Sequence, residues 1–438
     1  MGTGVLNAIV DRGRRGSVAA FERRDGVLHA EAVSLAAIAA AAGTPCYVYS
    51  ANSIRERFRR LSDAFESVPH HIHFAMKANS NLSVLRLLQQ LGAGVDIVSG
   101  GELYRARVAG FAAADVVFSG VGKSVREIED ALEEGVGLIN VESEAELVAI
   151  DAIAGRLGTT ASIALRVNPE VTVDTPHEYI KTGEKGQKFG IPRDDVGRLA
   201  RLIGGLPHVR LRGIGMHLGS QIANAEPMRH ALPRLLEAIA TVRSEGHTLE
   251  FMDVGGGLAV AYGPNDAPAD VDGYAALVCE AVRATGLRLL LEPGRFIVAD
   301  GGLLLTEVLF RKHAAGKDFV VTDAGMSDLV RPALYQAYHA IEAVHDTPGT
   351  VVADVVGPIC ESGDFFAKER AMPDVQAGAL LAIRTTGAYG YSMASNYNSR
   401  PRPVEVLVDG DRFAVVTERE RHEDLVRLER AHLHWRTA

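Results

Sequence analysis

The sequence predicts a (β/α)8 barrel joined to a second, mostly antiparallel β-domain. Apolar runs alternate with amphipathic stretches eight times between residues 46 and 298, which suits a barrel of about 250 residues. After residue 300, β-type runs follow one another between Gly, Pro and Asp residues, a pattern typical of a separate antiparallel domain. An open, doubly wound sheet would show the same alternation in the first part and is the alternative architecture.

Eight short runs are the predicted barrel strands, because each is apolar or alternates with period two and ends at polar or glycine residues. They are residues 72–77, 95–99, 116–119, 138–142, 163–167, 212–217, 250–254 and 288–292. Helices are predicted between them, and four apolar residues have helical spacing before the first strand: Ile54, Phe58, Leu61 and Phe65. The pairs Ser124–Glu127 and Ser143–Glu146 have capping-box spacing and are expected to begin two later helices.

The β-domain is predicted to combine residues 1–45 with residues 299–438, leaving 46–298 to the barrel. Its predicted strands are residues 303–310, 318–322, 350–356, 379–385, 404–408 and 412–417, with a hairpin turn at residues 409–411. Residues 19–30 look like a hairpin without a partner of its own, so we expect it to join this domain. Residues 168–188 form the longest predicted loop, which we interpret as a lid or specificity loop.

The composition argues against nucleic-acid and membrane partners. The formal charge is −9 without a basic stripe, and no apolar run reaches the roughly 20 residues that cross a bilayer. The N-terminal residues do not have a signal-peptide pattern. Cys46, Cys279 and Cys360 have no metal-ligand spacing and cannot all pair, so we expect a cytoplasmic protein without a bound metal.

Lys77 stands at the end of the first predicted barrel strand and is followed by polar residues 79–81. In a parallel barrel, this end of each strand carries the active site. A lysine that is partly removed from water there can lose its proton and attack a carbonyl to form a Schiff base. A lysine at the end of one strand is more often a surface residue. The motifs at the other strand ends therefore decide whether Lys77 is catalytic.

Two loops suited to anions follow the seventh and eighth predicted strands. The glycine triplet at residues 255–257 lets the backbone approach an anion and offers N–H groups to it. Residues 292–295 close the next strand, and barrel enzymes often hold a phosphate at these two loops. A Schiff-base lysine beside a phosphate site suggests pyridoxal 5′-phosphate. Glu292 is then the candidate partner of the ring nitrogen, and His217 the candidate for stacking on the ring.

Eight segments together closely resemble the diaminopimelate decarboxylases, which belong to the alanine racemase-like, fold-type III group of pyridoxal-phosphate enzymes. In chain order they are FAMKAN, GVDIVSGGEL, MHLGSQI, DVGGG, EPGR, DAGMSDLVRPALY, GPICESGD and GAYG. The resemblance extends from about residue 25 to residue 425. It implies a homodimer with shared active sites that converts meso-2,6-diaminopimelate to L-lysine and CO2, the last step of lysine biosynthesis.

The resemblance also implies roles for the matching residues. Lys77 corresponds to the lysine that bonds to the cofactor, His217 to the stacking histidine and Glu292 to the partner of the ring nitrogen. The other residues that resemble cofactor contacts are Ser220, Gly255, Gly256, Gly257, Gly294, Arg295 and Tyr389. Those that resemble substrate contacts are Arg295, Arg331, Tyr335, Glu361 and Tyr389. Cys360 and Glu361 correspond to residues that a partner subunit donates, with Cys360 as the candidate proton donor.

The substrate has an amino-acid group at each end, so the end that does not react must be held as a zwitterion. Glu361 can take its ammonium, and Arg295 with Arg331 can take its carboxylate through forked donors. Three further residues near strand ends are expected to orient the ring or support those that do: Asp96, Glu102 and Arg166.

Three alternatives remain at this point. A decarboxylase of the same fold could act on carboxynorspermidine, arginine, ornithine or a carrier-bound amino acid, although the two arginines argue against diamine-forming members. A racemase would need two bases across the ring. A non-catalytic protein that binds the cofactor or a partner enzyme would have no use for a proton donor such as Cys360.

Overall fold

A computed structural model of the protein describes residues 20–171, 183 and 186–429. The N-terminal part of the described chain contains a three-stranded sheet, a helix and one further strand. These elements are β1 (Phe21–Arg24), β2 (Val27–Ala30), β3 (Val33–Ser34), α1 (Leu35–Ala42) and β4 (Cys46–Ser50). Within the predicted loop at 168–188, residues 172–182, 184 and 185 lie outside the described residues, so its role as a lid stays a prediction.

Eight strands and eight helices then alternate. They are α2 (Ala51–Ala64), β5 (His70–Ala75), α3 (Leu82–Gln90), β6 (Gly94–Ile97), α4 (Gly100–Ala109), β7 (Val116–Phe118), α5 (Val125–Glu134), β8 (Leu138–Val141), α6 (Glu144–Leu157), β9 (Ala161–Arg166), α7 (Val196–Gly204), β10 (Val209–Gly215), α8 (Glu226–Ser244), β11 (Phe251–Asp253), α9 (Val271–Thr285) and β12 (Arg288–Leu291). Strands β5 to β12 are parallel neighbours, and β12 pairs with β5, which closes the ring. The predicted barrel is therefore confirmed, and the open sheet is excluded.

The rest of the described chain is mostly strand. Its elements are α10 (Arg295–Val298), β13 (Gly302–Ala314), β14 (Lys317–Thr322), α11 (Arg331–Tyr335), β15 (Ile341–Ala343), β16 (Thr350–Val356), β17 (Phe365–Pro373), β18 (Leu380–Ile383), β19 (Val404–Asp409), β20 (Arg412–Thr417) and α12 (His422–Val426). The β-domain sheet has the order β17-β16-β14-β13-β4-β19-β20, and β18 pairs with β13 and β15. Only the β14–β16 and β4–β19 pairs are parallel, so this second sheet is mostly antiparallel, as predicted. Among the described helices, none is both long and apolar enough to cross a membrane.

Strand β4 lies inside the range predicted for the barrel, yet it pairs with β13 and β19 of the other sheet. All five of its residues are buried, which is typical of a strand covered on both faces. The barrel therefore takes its first element from α2, whose Ile54, Phe58 and Leu61 are buried as the helical spacing predicted.

In the C-terminal part of the described chain, strands β15 and β17 were not predicted. Strand β15 has only three residues, too few to show a period. Strand β17 contains Lys368, Glu369 and Arg370 in succession and ends at Pro373. Charged residues and proline are tolerated there because β17 is an edge strand with one paired side.

One of the two predicted capping boxes is complete. At α5, the Ser124 hydroxyl accepts from the Glu127 N–H, and the Glu127 carboxylate accepts from the Ser124 N–H. At α6, the Ser143 hydroxyl accepts from the Glu146 N–H, but the Glu146 carboxylate accepts instead from the N–H of Glu142 at 2.7 Å. This second prediction is therefore only half right, because the preceding turn competes for the carboxylate.

The N-terminal hairpin joins the β-domain through its apolar residues, as predicted. Phe21, Leu28 and Ala30 share one core cluster with Cys46 of β4 and residues of the large sheet, including Leu303. The hairpin does not extend that sheet, since β1 to β3 form a sheet of their own.

A buried carboxylate fixes this attachment. Glu31, which is 4% exposed, accepts hydrogen bonds from the Ser50 hydroxyl at 2.7 Å, from the N–H and the amide of Asn52 at 2.9 and 2.6 Å, and from the Gly410 N–H at 2.6 Å. It therefore ties the hairpin to β4, α2 and the β19–β20 turn. A buried carboxylate with four donors is stable only as long as all of them remain.

We expect Glu31→Gln to lower the free energy of unfolding by roughly 2–4 kcal/mol, because an amide cannot accept from all four donors. Denaturant-induced unfolding monitored by circular dichroism would measure this loss. Glu22→Gln is the matched control, since Glu22 lies in the same hairpin with an exposed side chain. Equal midpoints for the two variants would contradict the role of Glu31.

Candidate active site

The carboxyl ends of the barrel strands open into a cavity of about 430 Å³. The predicted site residues that line it are Lys77, His217, Ser220, Arg295, Arg331, Tyr335 and Tyr389. A smaller adjoining cavity adds Gly257, Glu292 and Gly294. The fold therefore gathers most of the residues that the sequence singled out, from both domains, into one place.

Lys77 lies in a single 3-10 turn directly after β5, and its ammonium donates to Asp96 Oδ2 at 3.0 Å. Burial alone would lower the pKa of Lys77, but Asp96, Tyr389 and Glu292 outweigh it, so the pKa is raised. The amine is therefore charged here, contrary to the loss of a proton expected from burial. Asp96 Oδ1 has no hydrogen-bond partner within the described part of the chain, so this carboxylate keeps capacity for another donor.

The glycine triplet packs tightly against neighbouring backbone, and its last residue, Gly257, lines the smaller cavity. A Cβ at Gly256 would lie 2.1 Å from the Glu292 carbonyl oxygen, and one at Gly257 would lie 2.3 Å from that of Gly219. Two of the three N–H groups serve the protein itself, since Gly255 donates to Asp253 and Gly256 to His217. The triplet therefore permits close approach, but it offers fewer N–H groups than the sequence suggested.

His217 follows β10 and has a neutral imidazole. Burial, with the positive charges of Arg166 and Lys77, holds its pKa well below the usual range. Its Nδ1 accepts from the Gly256 N–H at 3.3 Å, so the proton of the neutral ring is on Nε2. A neutral ring fixed on one edge is suited to stacking on a flat aromatic ligand.

Glu292 follows β12 and belongs to a cluster of acids. Burial raises its pKa well above the usual range, and Asp253 and Asp96 raise it further. Burial also raises the pKa of Asp253 to about 6. Glu292 accepts from the Asn140 amide at 3.2 Å. A cationic ring nitrogen bound against Glu292 would lower this raised pKa and stabilise the carboxylate form.

Two buried arginines form another part of the wall of the larger cavity. Arg295 donates to the Ser220 hydroxyl at 3.3 and 3.2 Å and to the Tyr262 hydroxyl at 2.5 Å. Arg331 donates to His339 Nε2 at 2.9 Å. The Tyr262 ring lies 4.5 Å from the Arg331 guanidinium and 5.7 Å from that of Arg295. Neither arginine pairs with a carboxylate among residues 20–171, 183 and 186–429, so this wall favours an anion.

Tyr262 and His339 were missed by the sequence analysis. Tyr262 lies five residues after the glycine triplet in the same loop, which is a weak signal of proximity to the site. His339 is fully buried and follows α11 by four residues. Neither belongs to a motif with a mechanism of its own, so only the tertiary contacts reveal them.

Tyr389 brings the β-domain into the site. It has a left-handed backbone conformation, with φ of 55°, and its N–H donates to the carbonyl of Ala78, next to Lys77, at 2.8 Å. The Arg295 guanidinium lies 4.7 Å from the centre of its ring. The ring is therefore held between the lysine and the arginine wall.

Cys360 and Glu361 lie in the loop after β16 and are exposed. Neither is among the described residues that line the two cavities. The Cys360 N–H donates to Asn398 Oδ1 at 3.1 Å. One chain alone does not bring these two residues to Lys77, and their donation by a partner subunit stays a prediction.

Glu102 and Arg166 are not among the described residues that line these two cavities. Glu102 accepts from the Val98 N–H at 2.7 Å, burial raises its pKa to about 7, and it lines a separate cavity that also contacts Lys77. Arg166 ends β9 and donates to Glu142 at 2.8 Å. Arg166 acts on the site through its charge, which lowers the pKa of His217.

The acid cluster predicts a stability that depends on pH. The native state holds protons on Glu292 and Asp253 above their usual carboxyl pKa values of 4.5 and 3.8, so protein without cofactor should lose stability as pH rises above these values. Each group contributes at most about 1.4 kcal/mol per pH unit. Glu292→Gln should melt higher than the wild type at pH 8 and equal to it near pH 4.

Thermal melts of cofactor-free protein across this range would measure the difference. Glu280→Gln, at an exposed position on α9, is the control and should follow the wild type. If Glu292→Gln also follows the wild type at every pH, then Glu292 does not hold a proton in the native state.

Known proteins share this architecture and sequence. The family model described as "Pyridoxal-dependent decarboxylase, pyridoxal binding domain" matches residues 51–299. Diaminopimelate decarboxylase of Pseudomonas fluorescens is 48% identical over 92% of this chain and 96% of its own. That of Aquifex aeolicus is 43% identical over 93% of this chain and 96% of its own.

Solved structures of diaminopimelate decarboxylases have the same fold as this chain. The diaminopimelate decarboxylase of Helicobacter pylori complexed with L-lysine is 41% identical, with a TM-score of 0.85 over 88% of this chain and 96% of that chain. The enzyme from M. jannaschii is 33% identical, with a TM-score of 0.88 over 94% of this chain and 98% of that chain. The chain belongs to the diaminopimelate decarboxylase family of pyridoxal-dependent decarboxylases.

Proposed function

We propose that the protein converts meso-2,6-diaminopimelate to L-lysine and CO2 with pyridoxal 5′-phosphate, as a cytoplasmic homodimer. The reaction is the last step of lysine biosynthesis by the diaminopimelate route. One observation carries the proposal: two adjoining cavities share Lys77 and Arg295, with Glu292 lining the smaller one and Arg331 the larger one. Lys77 is paired with the buried Asp96, and neither arginine has a carboxylate partner among the described residues.

The residues present fit this cofactor. Gly257 and Gly294 line the smaller cavity together with Ser220, so backbone without a side chain is available to a phosphate there. Lys77 lines both cavities, and its side chain is 38% exposed. Ser220, Gly294 and the glycine triplet are the residues that would hold the phosphate, with Tyr389 beside them. When bound, the cofactor supplies the electron sink that allows the bond to the departing carboxyl group to break.

The chain's own residues prepare this chemistry. Lys77 must lose a proton before its amine can bond to a carbonyl carbon, and Asp96 lies within hydrogen-bond distance to accept it. His217 offers a neutral flat ring, fixed through Nδ1, to one face of the cofactor. Glu292 holds a proton at a carboxyl oxygen, and it would share this proton with the ring nitrogen through a hydrogen bond.

The arginine wall supports diaminopimelate over other amino acids. The far end of diaminopimelate carries a carboxylate, which Arg295 and Arg331 can bind through charge-assisted hydrogen bonds. Ornithine offers only an ammonium at that end, and arginine only a guanidinium. Either one would leave two buried cations unpaired and would add a third positive charge beside them.

Cys360 and Glu361 complete the site only if a second subunit supplies them. Both are exposed in one chain, so the loop that carries them is available for a partner's cavity. Glu361 would then bind the distal ammonium, and the Cys360 thiol would hold the proton that the α-carbon must gain after CO2 leaves.

A CO2-release assay tests the substrate. With pyridoxal phosphate present, purified protein should release CO2 from meso-diaminopimelate and form an equal amount of lysine, and release from ornithine and arginine should be at least ~100-fold slower. Lys77→Ala should bind no cofactor covalently and release no CO2. Release only from another amino acid would contradict the proposed substrate.

Shared sites predict complementation between two inactive variants. Lys77→Ala and Cys360→Ala should each be inactive alone. When they are mixed under conditions that exchange subunits, about a quarter of the wild-type activity should return, because half of the dimers are mixed and one of their two sites is intact. No recovery, despite exchange shown by mass spectrometry, would contradict donation of Cys360 across the dimer.

A further inference from the structure

We propose that His339 is a positioning residue that aims Arg331 at the distal carboxylate of the substrate. This inference deepens the proposed function and rests on its assignment of diaminopimelate as the substrate. His339 itself does not line the described cavity, whereas Arg331 does. His339 acts through Arg331 and affects which substrates the cavity binds.

The imidazole of His339 is fixed at both nitrogens. It is fully buried, Nε2 accepts from Arg331 Nη1 at 2.9 Å, and Nδ1 contacts the carbonyl oxygen of Arg384 at 2.8 Å. A carbonyl can only accept, so the ring proton is on Nδ1 and Nε2 must be the acceptor for the arginine. The carbonyl of Arg384 therefore sets the tautomer, and the tautomer sets one end of the Arg331 guanidinium.

The His339 ring that accepts from Arg331 is uncharged, and this affects how strongly Arg331 can bind an anion. Burial, together with the charge of Arg331, lowers the pKa of His339 to about 3, so the ring is neutral at any pH at which the enzyme would work. A carboxylate in this position would also hold the guanidinium, but it would cancel its charge. A neutral acceptor fixes the direction of Arg331 and leaves its full charge for the substrate.

Tyr262 closes the arrangement on the cavity side. Its ring meets the His339 ring edge-on, with centroids 5.2 Å apart and an interplanar angle of 80°, and it lies 4.5 Å from the Arg331 guanidinium. Its hydroxyl accepts from Arg295. The Tyr262 side chain therefore contacts both arginines. The hydrogen bond to His339 is the contact that orients Arg331.

A purely structural role for His339 has to be separated from this one. The carbonyl of His339 accepts from Arg370, and the ring fills space in the β-domain, so its loss could loosen the whole wall. Such loosening would weaken every ligand of the cavity alike. Positioning of Arg331 would weaken only ligands that carry the distal carboxylate.

Two substitutions of His339 separate the contributions of its two ring nitrogens. Gln places an amide oxygen near Nε2 and can still accept from Arg331. Asn places an amide nitrogen near Nδ1 and can still donate to Arg384, but it leaves Arg331 without its acceptor. The two probes are L-lysine, which keeps the distal carboxylate, and cadaverine, which is the same molecule without it.

Binding of both probes to the holoenzyme would be measured by calorimetry. We expect His339→Asn to weaken L-lysine by about 10- to 100-fold, the value of one hydrogen bond to a charged group. Cadaverine should bind unchanged, and His339→Gln should recover most of the affinity for L-lysine. His247→Asn is the control, since His247 has one backbone hydrogen bond far from the site, to the carbonyl of Ala200.

Equal weakening of both probes in His339→Asn and His339→Gln, or no weakening in either, would overturn the inference. The assay of wild-type CO2 release is independent of this outcome. A wild type that releases no CO2 from diaminopimelate contradicts the proposed function. A wild type that does release CO2, with His339→Asn still binding L-lysine normally, contradicts only the role of His339.

Discussion

The active site depends on contacts that hold the loop after β5 against the β-domain. The Asn79 amide donates to the Gly387 carbonyl at 3.0 Å, and the Tyr389 N–H donates to the Ala78 carbonyl at 2.8 Å. Both contacts lie within two residues of Lys77. Without the β-domain this loop would be exposed to water, and Lys77 would be held from the barrel side through Asp96. The second domain covers the loop and contributes Arg331, Tyr335 and Tyr389 to the cavity.

A buried polar cluster also joins the start of α3 to the β-domain. Glu405 of β19 accepts from the Tyr49 hydroxyl at 2.7 Å and from the Asn81 amide at 2.9 Å. Burial raises the pKa of Glu405, so the carboxyl is retained in the interior at a cost that its hydrogen bonds offset. Because Asn81 also caps α3, the helix that follows Lys77 and the β-domain strand are fixed by one side chain.

Charge is distributed unevenly across the cavity. Asp96, Asp253 and Glu292 lie close together beneath the cavity, whereas Arg295 and Arg331 line it without carboxylate partners in the described chain. The acids would repel one another if all were ionised, so Glu292 and Asp253 retain protons, and the two arginines are cations buried near each other. A ligand with a cationic ring nitrogen and a carboxylate would stabilise the ionised form of Glu292 and pair the arginines. The site is therefore organised for its ligands at some expense of stability.

The sequence by itself determined the barrel, the antiparallel character of the second domain and most of the cavity. Strand periodicity and residues at strand ends are local signals, and the carboxyl ends of parallel strands necessarily meet. Only the tertiary structure decided that β4 joins the second sheet, that β17 is a charged edge strand, that Lys77 is ion-paired to Asp96, and that Tyr262 and His339 support the arginines. These features arise from contacts between residues far apart in the chain, and such contacts leave no local pattern.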